Sequence, residues 1–192
     1  MIVKKFTVFV LGIIAVACQI VSAQKLTVQS PNKKVSVDLI NQENTNIGEW
    51  SLKVSHNAKD KPSEIIPKIS LGLSRSDQDF TNLTFLSAGK PVVINEKYNL
   101  VHGKKAVATN SANEVTVYFQ TATKAKLNVI IRAYNDGLSF RYEFPDKQGS
   151  YVLKDEYTAY TIPATTTRWL EKFNTANEGL YAATSDDKIV QQ

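Results

Sequence analysis

The side chains able to do chemistry are few in this sequence, and their types exclude several reactions at once. It holds two histidines, His56 and His102, and one cysteine, Cys18. A zinc site needs three or four His or Cys ligands, so that chemistry is not supported. A nucleophilic triad needs a base beside Ser or Cys, and neither histidine stands in a recognisable motif; both read as loop or strand-end histidines. The eight glycines are scattered and form no phosphate-cradling loop. Carboxylates remain. Asp155 and Glu156, Glu178, and Asp186 with Asp187 could supply a glycosidase pair, which flanks its bond at about 5–10 Å. Neighbours on a strand point to opposite faces, so Asp155 and Glu156 do not cooperate directly. Aromatic rings stack on sugar faces, and Trp169, Phe173 and Tyr181 gather in a polar C-terminal setting. They read either as a sugar contact or as packing against another body. Arg132 and Arg141 can each reach a carboxylate, as an ion pair or as a substrate clamp.

The elements that position these residues are strands. Val35, Val37 and Leu39 alternate with polar neighbours, as do Trp50, Leu52 and Val54, then Ile69, Leu71 and Leu73, then Val115, Val117 and Phe119. That is the two-residue period of a sheet with one buried face. Asn57 to Pro62 is a polar link. Leu127 to Tyr134 is more apolar, and Asn135-Asp136-Gly137 turns the chain with residues that tolerate positive φ. Leu138 to Phe144 alternates again before Pro145, which completes a long hairpin. No stretch carries a sustained helical period. The expected fold is all-β, an antiparallel sandwich with an irregular C-terminal tail.

The chain has 192 residues, with 43% hydrophobic and 21% charged, which are globular values and exclude a wholly disordered chain. A single cysteine excludes an internal disulfide framework. Lys4 and Lys5 precede an apolar run from Phe6 to Ala17 that is too short for a comfortable membrane span. Val21-Ser22-Ala23 supplies small residues for a signal-peptidase site. Residues 1–23 are expected to be a secretory signal peptide, leaving a periplasmic or exported chain without a transmembrane helix. Its removal takes Lys4 and Lys5 and lowers the formal charge from +5 to +3, too mild a balance to indicate nucleic acid. Ala15-Val16-Ala17-Cys18 also resembles a lipoprotein box, which would tether the domain through Cys18.

The hairpin carries a resemblance. Arg132-Ala133-Tyr134-Asn135-Asp136-Gly137-Leu138-Ser139-Phe140-Arg141-Tyr142-Glu143-Phe144 resembles the R-x-Y-x-D-G-x-x-F-R-Y-x-F segment in the N-terminal domain of family 97 glycoside hydrolases, exported α-glucosidases and α-galactosidases of the Bacteroidetes type. Ser30-Pro31-Asn32-Lys33-Lys34 is similar to that family's S-P-[DN]-G-K turn, with Lys33 where Gly is usual. Leu71-Gly72-Leu73, the segment from Tyr98 to Lys104, and Asn113-Glu114-Val115-Thr116-Val117 follow in the family's order. The likeness spans about Gln24 to Tyr181.

The resemblance implies a galactose-mutarotase-like β-super-sandwich over residues 24–173, with 174–192 as a linker towards a (β/α)₈ barrel. In the family the catalytic acid and the nucleophile or base sit on that barrel, at the C-terminal ends of its strands. No catalytic residue is therefore assigned here, and the chain by itself is expected to be inactive. The resemblance further implies that the domain backs the active site and lends one ligand to a calcium ion. Asn177-Glu178-Gly179-Leu180-Tyr181 resembles the family's Y-E-G-L-Y element, so Glu178 is the expected metal ligand. Calcium takes six to eight oxygens, so the remaining carboxylates would come from the barrel. Trp169 and Tyr181 are the expected substrate contacts, with Trp169 also suited to the domain interface; Trp169-Leu170-Glu171-Lys172 departs from the family's W-W-I-P wording. The face that meets the barrel is expected to be apolar and uncovered. The partners so implied are an α-glucoside or α-galactoside oligosaccharide and the barrel. A stand-alone carbohydrate-binding module and a lipid-anchored envelope protein are the competing readings. Which sugar is used, and whether its configuration is retained, is left to barrel residues.

Overall fold

Alternating apolar residues can hide only one face of each strand, and the strands solve this by stacking two sheets. The computed structural model describes residues 26–41, 43, 45–58, 61–146, 149–171, 175–176 and 179–184. Among them there is no helix. The first sheet has five strands in the order β1 (Leu26–Gln29), β2 (Val35–Asn41), β4 (Trp50–Ala58), β5 (Lys61–Ser70) and β14 (Ala159–Thr161). The second runs β12 (Gly137–Glu143), β11 (Lys126–Tyr134), β10 (Val107–Gln120), β8 (Leu83–Ala88) and β3 (Ile47–Gly48), and β9 (Val92–Asn99) pairs with the early half of β10. All pairings are antiparallel. A small sheet of β13 (Leu153–Glu156), β6 (Leu73–Arg75) and β7 (Gln78–Asp79), and a ribbon of β15 (Arg168–Leu170) with β16 (Ala182–Thr184), complete the described strands.

The core lies between the two large sheets. Val37, Leu39, Leu52 and Ile69 face Val115, Val117, Phe119, Leu127, Val129 and Ile131, all almost wholly buried. Each large aliphatic or aromatic side chain so buried contributes about 1.5–3 kcal/mol. Trp50 belongs to this core, as its alternation predicts. Its ring lies 5.6 Å from Phe85 and 5.4 Å from Phe119, and its Nε1–H donates to the Leu83 carbonyl at 2.9 Å.

Several local expectations change in detail. The polar link from Asn57 to Pro62 is a tight hairpin, in which Ala58 opposes Lys61 and Asn57 opposes Pro62. The turn at Asn135-Asp136 is also tight, since Tyr134 pairs with Gly137. No residue there has a positive φ. Asn135 acts through its side chain instead, accepting the Asn32 N–H at 3.0 Å and so tying two turns together. In that second turn Lys33 takes φ 61°, a left-handed conformation that glycine adopts freely and Lys does not. The turn is fixed by the Lys33 N–H bond to the Ser30 carbonyl and by the Asn32 side chain, which accepts from Ser30 Oγ and the Lys34 N–H.

The Leu71-Gly72-Leu73 element marks the point where the chain leaves the first sheet. Gly72 has φ +150°, and a β-carbon there would press on Thr81. Its N–H donates to the Tyr142 hydroxyl at 2.9 Å, and its carbonyl accepts the Tyr157 N–H at 2.9 Å. Nearby, Arg75 is closed in. Its guanidinium binds both oxygens of Asp77, at 2.7 and 2.9 Å, and lies 4.6 Å from the Phe144 ring centre and 3.9 Å from that of Tyr151. The bond to Asp77 holds Arg75 above its ordinary pKa and the same bond holds Asp77 below its own.

Burial holds the Tyr142 phenol above its ordinary pKa of 10.0, against the bonds from Thr158 and Gly72 that lower it. A group whose pKa is raised on folding stabilises fully below its unfolded pKa and loses that contribution as pH rises through the folded value. Tyr142→Phe is expected to cost about 1–3 kcal/mol at neutral pH, because the Gly72 N–H loses its acceptor. It should also flatten the fall in stability above pH 10. Urea unfolding at neutral and alkaline pH reads both, and an unchanged alkaline slope would refute the assignment.

Candidate functional site

The residues singled out for substrate contact lie on the last ribbon. Trp169 opposes Ala183 and Leu170 opposes Ala182. Side chains two apart share a face, so Trp169 and Glu171 project together. Tyr181 immediately precedes β16 and reaches the same carboxylate. Trp169 is 67% exposed and Tyr181 61%. Glu171 accepts the Gly179 N–H at 2.5 Å. A β-carbon at Gly179 would collide with that carboxylate, which explains why glycine suits the position. The bond to Glu171, and then its negative charge, hold the Tyr181 phenol above its ordinary pKa. The ribbon is fastened to the chain before it by Arg168, whose Nη2 donates to the Ile162 carbonyl at 3.2 Å. The register thus places Trp169 and Tyr181 on one face of the ribbon, where Glu171, not singled out from the sequence, holds Gly179 and Tyr181. Its spacing of two from Trp169 was the available signal; its partner Tyr181 lies ten residues on, too far for periodicity to show.

The other candidates are placed as follows. Glu178, Phe173, Asp186 and Asp187 lie outside the described residues, as do residues 1–23 with Cys18. Asp155 and Glu156 are consecutive on β13 and project to opposite faces. His56 stands on β4 and His102 in the bend between β9 and β10, far apart in sequence and strand order. Among the described residues no three His, Cys, Asp or Glu side chains converge as a metal site. Arg132 is an ion-pair residue. Its Nε donates to Glu114 at 2.5 Å across β10 and β11, and this bond, with one to Tyr134, holds the guanidinium above its ordinary pKa. Arg141 is exposed on β12.

The expected bare apolar sheet face is not what the structure shows. The outer side of the first sheet carries Ser36, Asp38, Ser51 and Ser55. That of the second carries the Arg132–Glu114 pair and the Asn128–Glu143 hydrogen bond at 2.9 Å. Exposed apolar residues collect instead in two stretches, Val92 to Val107 and Tyr151 to Tyr181. Sheet alternation dictates this: the polar half of each strand must face out once the apolar half is buried. Among the described residues no helix is long and apolar enough to cross a membrane.

The model of the glycosyl-hydrolase 97 N-terminal family matches residues 28–192. A probable retaining α-galactosidase of Streptomyces bingchenggensis (strain BCW-1) is 25% identical over 155 residues, which is 81% of this chain and 24% of that protein. A crystal structure of a β-arabinopyranosidase superposes with a TM-score of 0.68 at 24% identity, over 82% of this chain and 26% of that one. A family 97 glycoside hydrolase from Pseudoalteromonas sp. strain K8, in complex with acarbose, superposes with a TM-score of 0.68 at 22% identity, over 83% of this chain and 24% of that one. The same enzyme has been solved with panose. These structures share the sandwich fold. The chain spans about a quarter of the length of the relatives it matches.

Glu171→Gln should return the Tyr181 phenol towards its ordinary pKa, since the amide keeps an acceptor but loses the charge. Gly179→Ala should do the same by displacing the carboxylate. An ultraviolet pH titration against a Tyr181→Phe control reads the shift; a Tyr181 pKa unmoved by both changes would contradict the ribbon geometry.

Proposed function

This chain belongs to the glycosyl-hydrolase 97 N-terminal family, and on that premise we propose that it acts as the N-terminal β-sandwich of an α-glucosidase or α-galactosidase of oligosaccharides, backing an active site whose catalytic carboxylates lie on a (β/α)₈ barrel. The observation that carries this reading is the ribbon of β15 and β16. It leaves the sandwich with Trp169 and Tyr181 both more than half exposed on one side, and Tyr181 is held by Glu171. Exposed aromatic side chains in a fixed arrangement are costly to leave in water and suit a neighbouring body or a sugar ring. Trp169 and Tyr181 would line the pocket between this domain and the barrel.

The proposed calcium role follows the same line. The described residues do not form a calcium cage by themselves. Glu178 would add one carboxylate to others on the barrel, the division of ligands that six- to eight-fold oxygen coordination allows. Glu171 is already engaged by Gly179 and Tyr181, which follow Glu178 in the sequence, and so is not itself the proposed ligand. Export through residues 1–23, to the periplasm or beyond, agrees with the single cysteine and with the basic-then-apolar order of that segment.

Two measurements test this reading. The purified chain should not hydrolyse nitrophenyl α-glucoside or α-galactoside, with or without calcium; clear calcium-dependent turnover would overturn the non-catalytic role. Mass spectrometry of the exported protein should find a chain starting at Gln24. A lipidated start at Cys18 would replace the free exported form with a membrane-tethered one, and an uncleaved Met1 would remove the export proposal.

A further inference from the structure

The two large sheets do not close on each other along one side. There the last strand of the second sheet, β12, runs beside the last strand of the first, β14, and a cleft of about 630 Å³ opens between them. Volumes of about 300–1,000 Å³ are typical of small-molecule sites. Neither Trp169 nor Tyr181 lines this cleft.

Its walls combine two kinds of surface. Tyr160, on β14, is 56% exposed and presents its ring to the opening. Phe140 and the aliphatic side chains of Ile66 and Ile69 make the apolar floor. Polar groups converge over that floor. Tyr142 Oη accepts the Gly72 N–H at 2.9 Å and lies 3.4 Å from Thr158 Oγ1. Thr158 Oγ1 in turn donates to Glu156 Oε1 at 2.7 Å. This chain of bonds fixes the Glu156 carboxylate and leaves its second oxygen as an acceptor. Arg141 borders the cleft through its place on β12, but in register with Ile130 its side chain belongs to the outer face of the second sheet. Because β12 and β14 each end a sheet, the backbone donors and acceptors on their outer edges have no neighbouring strand.

We propose that this cleft is a second, non-catalytic carbohydrate site that takes one or two pyranose units of an α-linked oligosaccharide, stacked on Tyr160 and held through its hydroxyls by Glu156 and Thr158. A pyranose has one apolar face of C–H groups and a rim of hydroxyls that both donate and accept. An aromatic ring, a fixed carboxylate and a hydroxyl meet both needs, and the carboxylate's charge disfavours an anionic ligand. The buried Tyr142 phenol stays protonated at neutral pH, so it adds no charge to the floor. The site rests on the proposed function only for the choice of sugar. It needs neither the barrel nor calcium.

Titration of the isotope-labelled chain with maltotriose and with melibiose, followed by amide NMR shifts, tests the site. Saturable shifts at millimolar sugar are expected around β12, β14 and Glu156. Tyr160→Ala and Glu156→Gln, both at exposed positions, should each weaken binding at least fivefold, whereas Tyr98→Ala, at an exposed aromatic position on β9, should leave it within twofold. No saturable shift with either sugar would overturn the proposal. Shifts confined to the ribbon and abolished by Trp169→Ala would also overturn it, and would move sugar contact to Trp169 and Tyr181. Concentration-dependent shifts at β12 without sugar would assign that edge to pairing between copies and equally defeat the proposal. Failure here leaves the non-catalytic role standing, since that role is read by hydrolysis.

Discussion

The bond from the Gly72 N–H to the Tyr142 hydroxyl is the joint on which this molecule turns. Gly72 is where the backbone leaves the first sheet, in a conformation that a side chain would strain. Tyr142 belongs to the free edge of the second sheet. The Gly72 carbonyl also accepts from Tyr157, just before β14 returns to the first sheet. One residue thus links both layers and the segment that leads out of the sandwich. A buried N–H left without an acceptor is costly, so this crossing is determined rather than tolerated.

The joint has consequences at both ends of the chain. Upstream, it sets the path into β6, where Arg75 is clamped by Asp77 and stacked among Phe80, Phe144 and Tyr151. That enclosure holds the crossing from β12 back to β13 against the small sheet. Downstream, it fixes Thr158 and through it Glu156. The cleft beside Tyr160 is the space left when two sheets are tied at the crossing but not along their edges.

The distribution of surface character follows from the same architecture. A strand that gives its apolar half to the core turns its other half outward, and on the first sheet that outer half is polar, with Ser36, Asp38, Ser51 and Ser55 themselves buried. Exposed apolar side chains gather instead on the β9–β10 ribbon and on the C-terminal segments that carry Tyr151, Tyr160, Trp169 and Tyr181. The Lys33 turn shows how far the pattern bends. A position that favours glycine is held in a left-handed conformation by Lys33, because hydrogen bonds from Ser30, Lys34 and Asn135 leave the turn little choice.

Local pattern was enough for the sheets. Alternation in Val35–Leu39, Trp50–Val54, Val115–Phe119 and Leu138–Tyr142 named the buried faces, because a strand's two-residue period is written directly into side-chain polarity. The Asn135-Asp136 turn was legible too, although its φ values were not, since Asn135 serves through a side-chain bond to a turn over a hundred residues away. Trp169 and Tyr181 could be nominated from residue type, but Glu171 could not. Its role comes from a ribbon that pairs residues ten or more apart. The cleft was invisible for the same reason. Phe140, Glu156 and Tyr160 sit on three strands of three different sheets, and only the stacking of those sheets decides that their side chains share one space.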